Sequence, residues 1–269
     1  MRLVTYRLDD GESPAAGLLF EDGIAPAGAS VRELLTLGEP VVASNERIAL
    51  TDARLLAPVP DPEKIICLGL NYRDHAEESH QEIPTNPLWF AKFANSLIGD
   101  GEAIVLPAAH AEYVDYEAEL AVVIGKVAHN VDADDALSYV AGAMAFNDVS
   151  ARDLQLQNPL WTSGKAIDTF GPCGPLVTID EIDDLQALTL RTIINGKVVQ
   201  EGSTSSMIFG VAESIAWLSR TMTLLPGDII ATGTPAGVGG AQGIFLRDGD
   251  TVAVEIEGVS TVTNPVRAA

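Results

Sequence analysis

The chain has 269 residues, enough to bury a full hydrophobic core as one large domain or as a main domain with a smaller appendage. Its 38 Asp and Glu against 16 Lys and Arg leave a formal net charge of −22. That excludes nucleic acid as the main partner and disfavours an anionic membrane surface, since both are bound through clustered cations.

The opening stretch MRLVTYRLDDGESP alternates like a strand and lacks the unbroken apolar run of a signal peptide. No later run approaches the length needed to span a bilayer, so a cytoplasmic protein is expected. Residues 1–56 hold strand patterns in LVTYRL and AAGLLFED and a helix pattern at 30–37. APVPDPEK (57–64) is a proline-punctuated break, which divides the chain into a small β-rich N-terminal domain, 1–60, and a main domain, 61–269. KIICLGL then reads as a buried strand. Further strands are expected at 117–124, 173–178, 188–194 and 251–257, and Asn195-Gly196 marks a hairpin turn because both positions tolerate positive φ. Helices are expected at 133–140, capped by Asp132, and at 211–221, where Val211, Ile215 and Leu218 share a face. Strands outnumber helices without βαβ alternation, so the fold class is α+β, predominantly β, with a rolled or sandwiched sheet. Cys67 and Cys173 are far apart, form no CxxC motif, and are expected as buried thiols.

Four stretches could carry chemistry. In VDYEAEL (114–120) the side chains of Glu117 and Glu119 stand at i and i+2 and must lie side by side on a strand. Two carboxylates that close need a cation or a shared proton, unless the face is simply solvated. Asp148, in AMAFNDVSARD (143–153), falls where a strand emerges into a loop and could join them, although Asp there also serves as an ordinary turn former. Three such oxygen donors suit Mg²⁺ or Mn²⁺ first and Ca²⁺ next. In GLNYRDHAEESH (69–80), His75 and Glu78 stand at i and i+3 and can pair to make a general base, or merely decorate an exposed polar helix. His80, His110 and His129 show no partner pattern and read as surface residues. In NPLWTSGKAIDTFGPCGP (158–175), Lys165 is a point charge suited to an enolate or carboxylate oxygen, or a solvated loop residue. GDIIATGTPAGVGG (227–240) lacks the P-loop ending and the dinucleotide glycine spacing, so its glycines and Thr234 are expected to bring backbone N–H groups close to a small anion.

Taken in order, LGLNYRDHAEE, VDYEAELAVVIGK, NDVSARDLQ, GKAIDTFGPCGP, INGKVVQEG and TGTPAGVG resemble the fumarylacetoacetate hydrolase family, over about residues 64–265. The resemblance implies a mixed β-sandwich roll, a divalent metal, usually Mg²⁺ or Mn²⁺, and a homodimer. It implies Glu117, Glu119 and Asp148 as metal ligands, and His75 and Glu78 as a catalytic dyad on a lid segment. It also places Lys165 beside the metal and gives Arg152, Gln155 and Thr234 substrate-contacting positions. Ala166 stands where many members have Ser. The chemistry so implied is cleavage of a C–C bond in a short 2-oxo acid with release of pyruvate, as an acylpyruvate hydrolase or an oxaloacetate decarboxylase. Isomerase or decarboxylase steps of aromatic-acid catabolism are the alternative, and a catalytically silent protein that binds a metal and a 2-oxo acid is a third reading. Trp89, Phe90 and Trp161 could wall a pocket or fill a core.

Overall fold

The structure is a computed structural model, and it describes residues 1–269 except 9–12, 39–40 and 111. Strand is therefore described for Arg2–Leu8 of the opening stretch, while 9–12 lie outside the described residues. Two sheets carry the fold. The larger runs in the order Gly23–Pro26, Ala15–Phe20, Arg2–Leu8, Leu176–Thr178, Val140–Asn147, Ala118–Ile124, Ile229–Ala231, Ile65–Gly69 and Leu88–Lys92, with Ala53–Leu56 also paired to Arg2–Leu8. The smaller runs Lys197–Ser203, Thr189–Ile194, Thr251–Ile256, Ser260–Ala268 and Ile104–Leu106. Residues 57–64 carry the chain from Ala53–Leu56 to Ile65–Gly69, and Arg2–Leu8 pairs antiparallel with Leu176–Thr178.

The strand Ala118–Ile124 explains the architecture, because every residue in it is buried. Its even positions, Ala118, Leu120, Val122 and Ile124, face a core shared with Leu190, Val254, Ile256 and Val262 of the smaller sheet and with Val211, Ile215 and Leu218 of the helix Val211–Ser219. Its odd positions, Ala121 and Val123, face a second core with Leu3, Val31, Cys67, Met144 and Ile229. A strand covered on both faces loses polar alternation and reads as an unbroken apolar run. The result is the α+β, strand-dominated sandwich expected from the sequence, with the helix face at Val211, Ile215 and Leu218 buried as expected.

Local differences have local causes. The helix expected at 133–140 is Ala133–Ala136 followed by a tighter turn, Leu137–Tyr139, because Val140 already opens the strand Val140–Asn147. Asp132 takes the N-cap position without a side-chain capping bond. Of the strand expected over 173–178 the structure keeps Leu176–Thr178, which begins just after Pro175, a residue with no N–H for the ladder. Ser30 caps the helix Val31–Leu37 in a capping box with Glu33. Asn195 and Gly196, at φ 50° and 79°, make the expected hairpin turn. Cys67 and Cys173 are buried free thiols, and burial pushes both upward in pKa.

Candidate active site

Sheet register brings the acidic residues together. Ala118 pairs with Asn147 across the antiparallel strands, so the residues just beyond, Glu117 and Asp148, face each other where both strands end. The Asp148 N–H donates to the Glu117 carbonyl at 3.0 Å, and the Glu117 N–H donates to Asn147 Oδ1 at 3.1 Å. Glu117 therefore precedes the strand rather than opening it, yet it keeps the side-chain parity of Glu119. One carboxylate oxygen from each of Glu117, Glu119 and Asp148 lies within 4.8 Å of the others, and all three residues are buried.

Three cations hold this charge. Lys165 Nζ sits 2.7 Å from Glu117 Oε2 and 2.8 Å from Asp148 Oδ2. Lys92 Nζ donates to Asp148 Oδ1 at 2.7 Å and to the Val149 carbonyl at 3.2 Å. Arg152 NH2 lies 2.8 Å from Glu117 Oε1 and 2.6 Å from Asp115 Oδ2, while its NH1 donates to Gln155 Oε1 at 2.8 Å. Burial opposes charge on Glu117, but Lys165 and Arg152 more than offset it and hold the carboxyl at about 2. Glu119 is pushed well above the carboxylate range, first by burial and then by Asp148 and Glu117. Burial lowers Lys165, and the charges of Asp148 and Glu117 outweigh it, so its pKa is raised.

Backbone turns complete the wall. The helix Arg73–Glu78 places His75 Nδ1 3.4 Å from Glu78 Oε1, a loose contact, and Glu78 Oε2 accepts from the Gly237 N–H at 2.9 Å. The glycine-rich segment does deliver N–H groups to anions, and those anions are the chain's own carboxylates. Gly233 donates to Glu119 Oε2 at 2.9 Å, and Gly239 and Gly240 donate to Asp115 at 2.7 and 2.8 Å. At φ +91°, with its missing Cβ position 2.8 Å from Asn71 Cβ, position 233 requires glycine. Thr234 lines the cavity, while its hydroxyl donates to the Ala118 carbonyl and accepts from Gln200 Nε2.

The sequence-predicted residues His75, Glu78, Glu117, Glu119, Arg152, Gln155, Lys165 and Thr234 all line one cavity of about 780 Å³, and Asp148 lies behind it against Lys165. Phe90 and Trp161 form a wall, in edge-to-face contact at 5.7 Å, whereas Trp89 is solvent-exposed. His110, expected without a partner, meets Asp153 at 2.6 Å across 43 residues of sequence, a pairing that only the fold creates.

Residues 64–267 match the family described as fumarylacetoacetate (FAA) hydrolase, C-terminal. The chain belongs to the fumarylacetoacetate hydrolase family. It is 42% identical over 288 residues to a Xenopus laevis protein named mitochondrial oxaloacetate tautomerase fahd2, in a match covering 99% of this chain and 90% of that protein. Among solved structures it resembles a 5-carboxymethyl-2-hydroxymuconate delta-isomerase from Mycobacterium smegmatis, with TM-score 0.85, 36% identity and full coverage of both chains. It also resembles a fumarylacetoacetate hydrolase from Exiguobacterium antarcticum, with TM-score 0.88, 34% identity and full coverage of both.

Within this family site, Ala166 contributes its backbone, its carbonyl accepting from Asn95 Nδ2 at 3.1 Å. Sequence reading missed two charged residues. Asp115 stands at i−2 of Glu117, so the alternation that marked Glu117 and Glu119 also pointed to it. Lys92 ends the apolar strand LWFAK and is one of five lysines in the chain, a composition signal that its burial makes meaningful.

Proposed function

We propose that this chain is a divalent-metal-dependent keto–enol tautomerase of small 2-oxo acids. The observation that carries the reading is the buried Glu117, Glu119 and Asp148 cluster, whose two glutamates line one cavity with Lys165 and the His75–Glu78 pair. The donor set fits Mg²⁺ or Mn²⁺, which prefer carboxylate oxygens. The charges fit as well. Asp115, Glu117, Glu119 and Asp148 face Lys92, Arg152 and Lys165, so full ionisation leaves one negative charge in excess. A dication turns that excess positive and suits an anionic substrate. When bound at these three carboxylates it would supply Lewis-acid stabilisation of an enolate oxygen.

The chain's own residues do the rest. Lys165 spends two of its three N–H donors on Glu117 and Asp148 and has a third for the substrate enolate oxygen. Arg152 is held by Asp115, Glu117 and Gln155 against the cavity, which orients its guanidinium on the wall where the substrate binds. With Nδ1 toward Glu78, His75 presents Nε2 for proton transfer at C3. In the enol-to-keto direction the substrate loses the O2 proton and gains one at C3, and no water or oxidant enters.

C–C cleavage uses the same enolate, and the sequence by itself favoured it. Relatives named for tautomerisation and isomerisation support proton transfer ahead of it. The test follows loss of the oxaloacetate enol absorbance with Mg²⁺ or Mn²⁺ and with chelator, and measures pyruvate separately. Metal-dependent enol loss without pyruvate is expected. Stoichiometric pyruvate would return the assignment to hydrolysis or decarboxylation. The expected homodimer finds support in the exposed Trp89 on the edge strand Leu88–Lys92 and Phe93 just beyond its end, and is checked by sedimentation.

A further inference from the structure

The cavity is graded in exposure and charge. At its floor Glu117 and Glu119 are 5% and 1% exposed, with Asp148 buried behind them, whereas Tyr113 and Leu156 at its mouth are 44% and 80% exposed. Among the described residues, the Lys and Arg side chains lining it are Lys165 and Arg152, both bound to Glu117 at the floor. Away from the floor the lining is largely aromatic and aliphatic, and its polar members are the carboxylates of Glu78 and Asp153 and the uncharged Ser79 and Gln81. Tyr113 and Phe245 meet edge to face at 5.4 Å on one wall. On another, Trp161 lies against Gly69, where a Cβ would collide with the indole, and contacts Phe90, whose ring centre is 5.1 Å from Lys165 Nζ. Asp153 bonds His110 through Oδ2, while its buried Oδ1 has no partner among the described residues. A second substrate carboxylate placed there would meet aromatic faces and Asp153, with no cation to receive it. A volume of about 780 Å³ also exceeds what a four-carbon diacid fills.

We propose that the outer half of this cavity is a subsite for an uncharged aromatic or branched apolar group. The preferred 2-oxo acid then carries such a group beyond C3 in place of a second carboxylate. The proposal rests on the 2-oxo acid reading of the cavity floor.

Titration calorimetry of the Mg²⁺-loaded full chain with oxalate, pyruvate, phenylpyruvate and 2-oxoglutarate tests it. Phenylpyruvate should bind roughly 10- to 100-fold tighter than pyruvate, the gain from burying one aromatic ring, and 2-oxoglutarate no tighter than pyruvate. Phe245→Ala should weaken phenylpyruvate about tenfold more than it weakens oxalate. Leu156→Arg, at an exposed site where folding is not in question, should move the preference toward 2-oxoglutarate. Equal affinities for phenylpyruvate and pyruvate, or tightest binding of 2-oxoglutarate, would overturn the subsite alone. So would a dimer that Leu156→Arg dissociates without changing ligand preference, since a second copy would then cover this face. Failure of oxalate and pyruvate to bind at all would overturn the floor reading with it.

Discussion

Lys92 offers the sharpest energetic test. Its residue is 1% exposed, its Nζ lies 2.7 Å from Asp148 Oδ1, and Asp148 is 0% exposed. Lys92→Met keeps the length and the apolar stem but removes the charge, leaving Asp148 held by Lys165 alone. Breaking a buried pair from one side costs about 3–5 kcal/mol, because the remaining charge keeps its desolvation penalty. For a chain of this size each kcal/mol lowers Tm by about 2–4 °C, so a fall of roughly 6–20 °C is expected. Urea unfolding of the metal-free protein gives the free energy directly, and a cycle with Asp148→Asn isolates the coupling. The double variant should recover part of the loss, since no charge is then stranded. The exposed pair Arg191–Glu201, 2.6 Å apart, is the control, and Arg191→Met should be nearly neutral. If Lys92→Met proves as mild as that control, the claim that Lys92 is needed to hold Asp148 fails.

Three further outcomes follow from the same geometry. Glu117 sits at about 2 in the folded chain against an ordinary value of 4.5, so its stabilisation is complete above 4.5 and disappears as pH falls toward 2. The Tm gap between wild type and Glu117→Gln should close over that interval, and a gap independent of pH would contradict the pairing with Lys165 and Arg152. Asp115→Asn, which loosens both Arg152 and the turn at Gly239–Gly240, should raise KM more than it lowers kcat or metal affinity, and equal loss of all three would show a general structural role. Gly233→Ala introduces a Cβ at φ +91° against Asn71 and should cost on the order of 1–3 kcal/mol by urea unfolding while weakening the N–H bond to Glu119; a neutral result would remove the reason for glycine there.

Much of this protein was written locally. The alternation of VDYEAEL put Glu117 and Glu119 on one face, the 3.6-residue spacing of Val211, Ile215 and Leu218 set the buried side of a helix, and Asn195-Gly196 specified a hairpin, because each depends on backbone geometry over a few residues. Proximity across the chain was another matter. Asp148 reaches Glu117 because the register pairs Ala118 with Asn147, and a slip of one residue would turn its side chain to the opposite face of the sheet. Lys92, 56 residues from Asp148, and His110, 43 from Asp153, find their partners only when distant segments pack together. The glycine-rich turn showed that N–H groups would meet an anion, but only tertiary packing made those anions Glu119, Glu78 and Asp115. Periodicity is local and survives in a one-dimensional string, whereas the balance of buried charge depends on contacts between segments that the string keeps far apart.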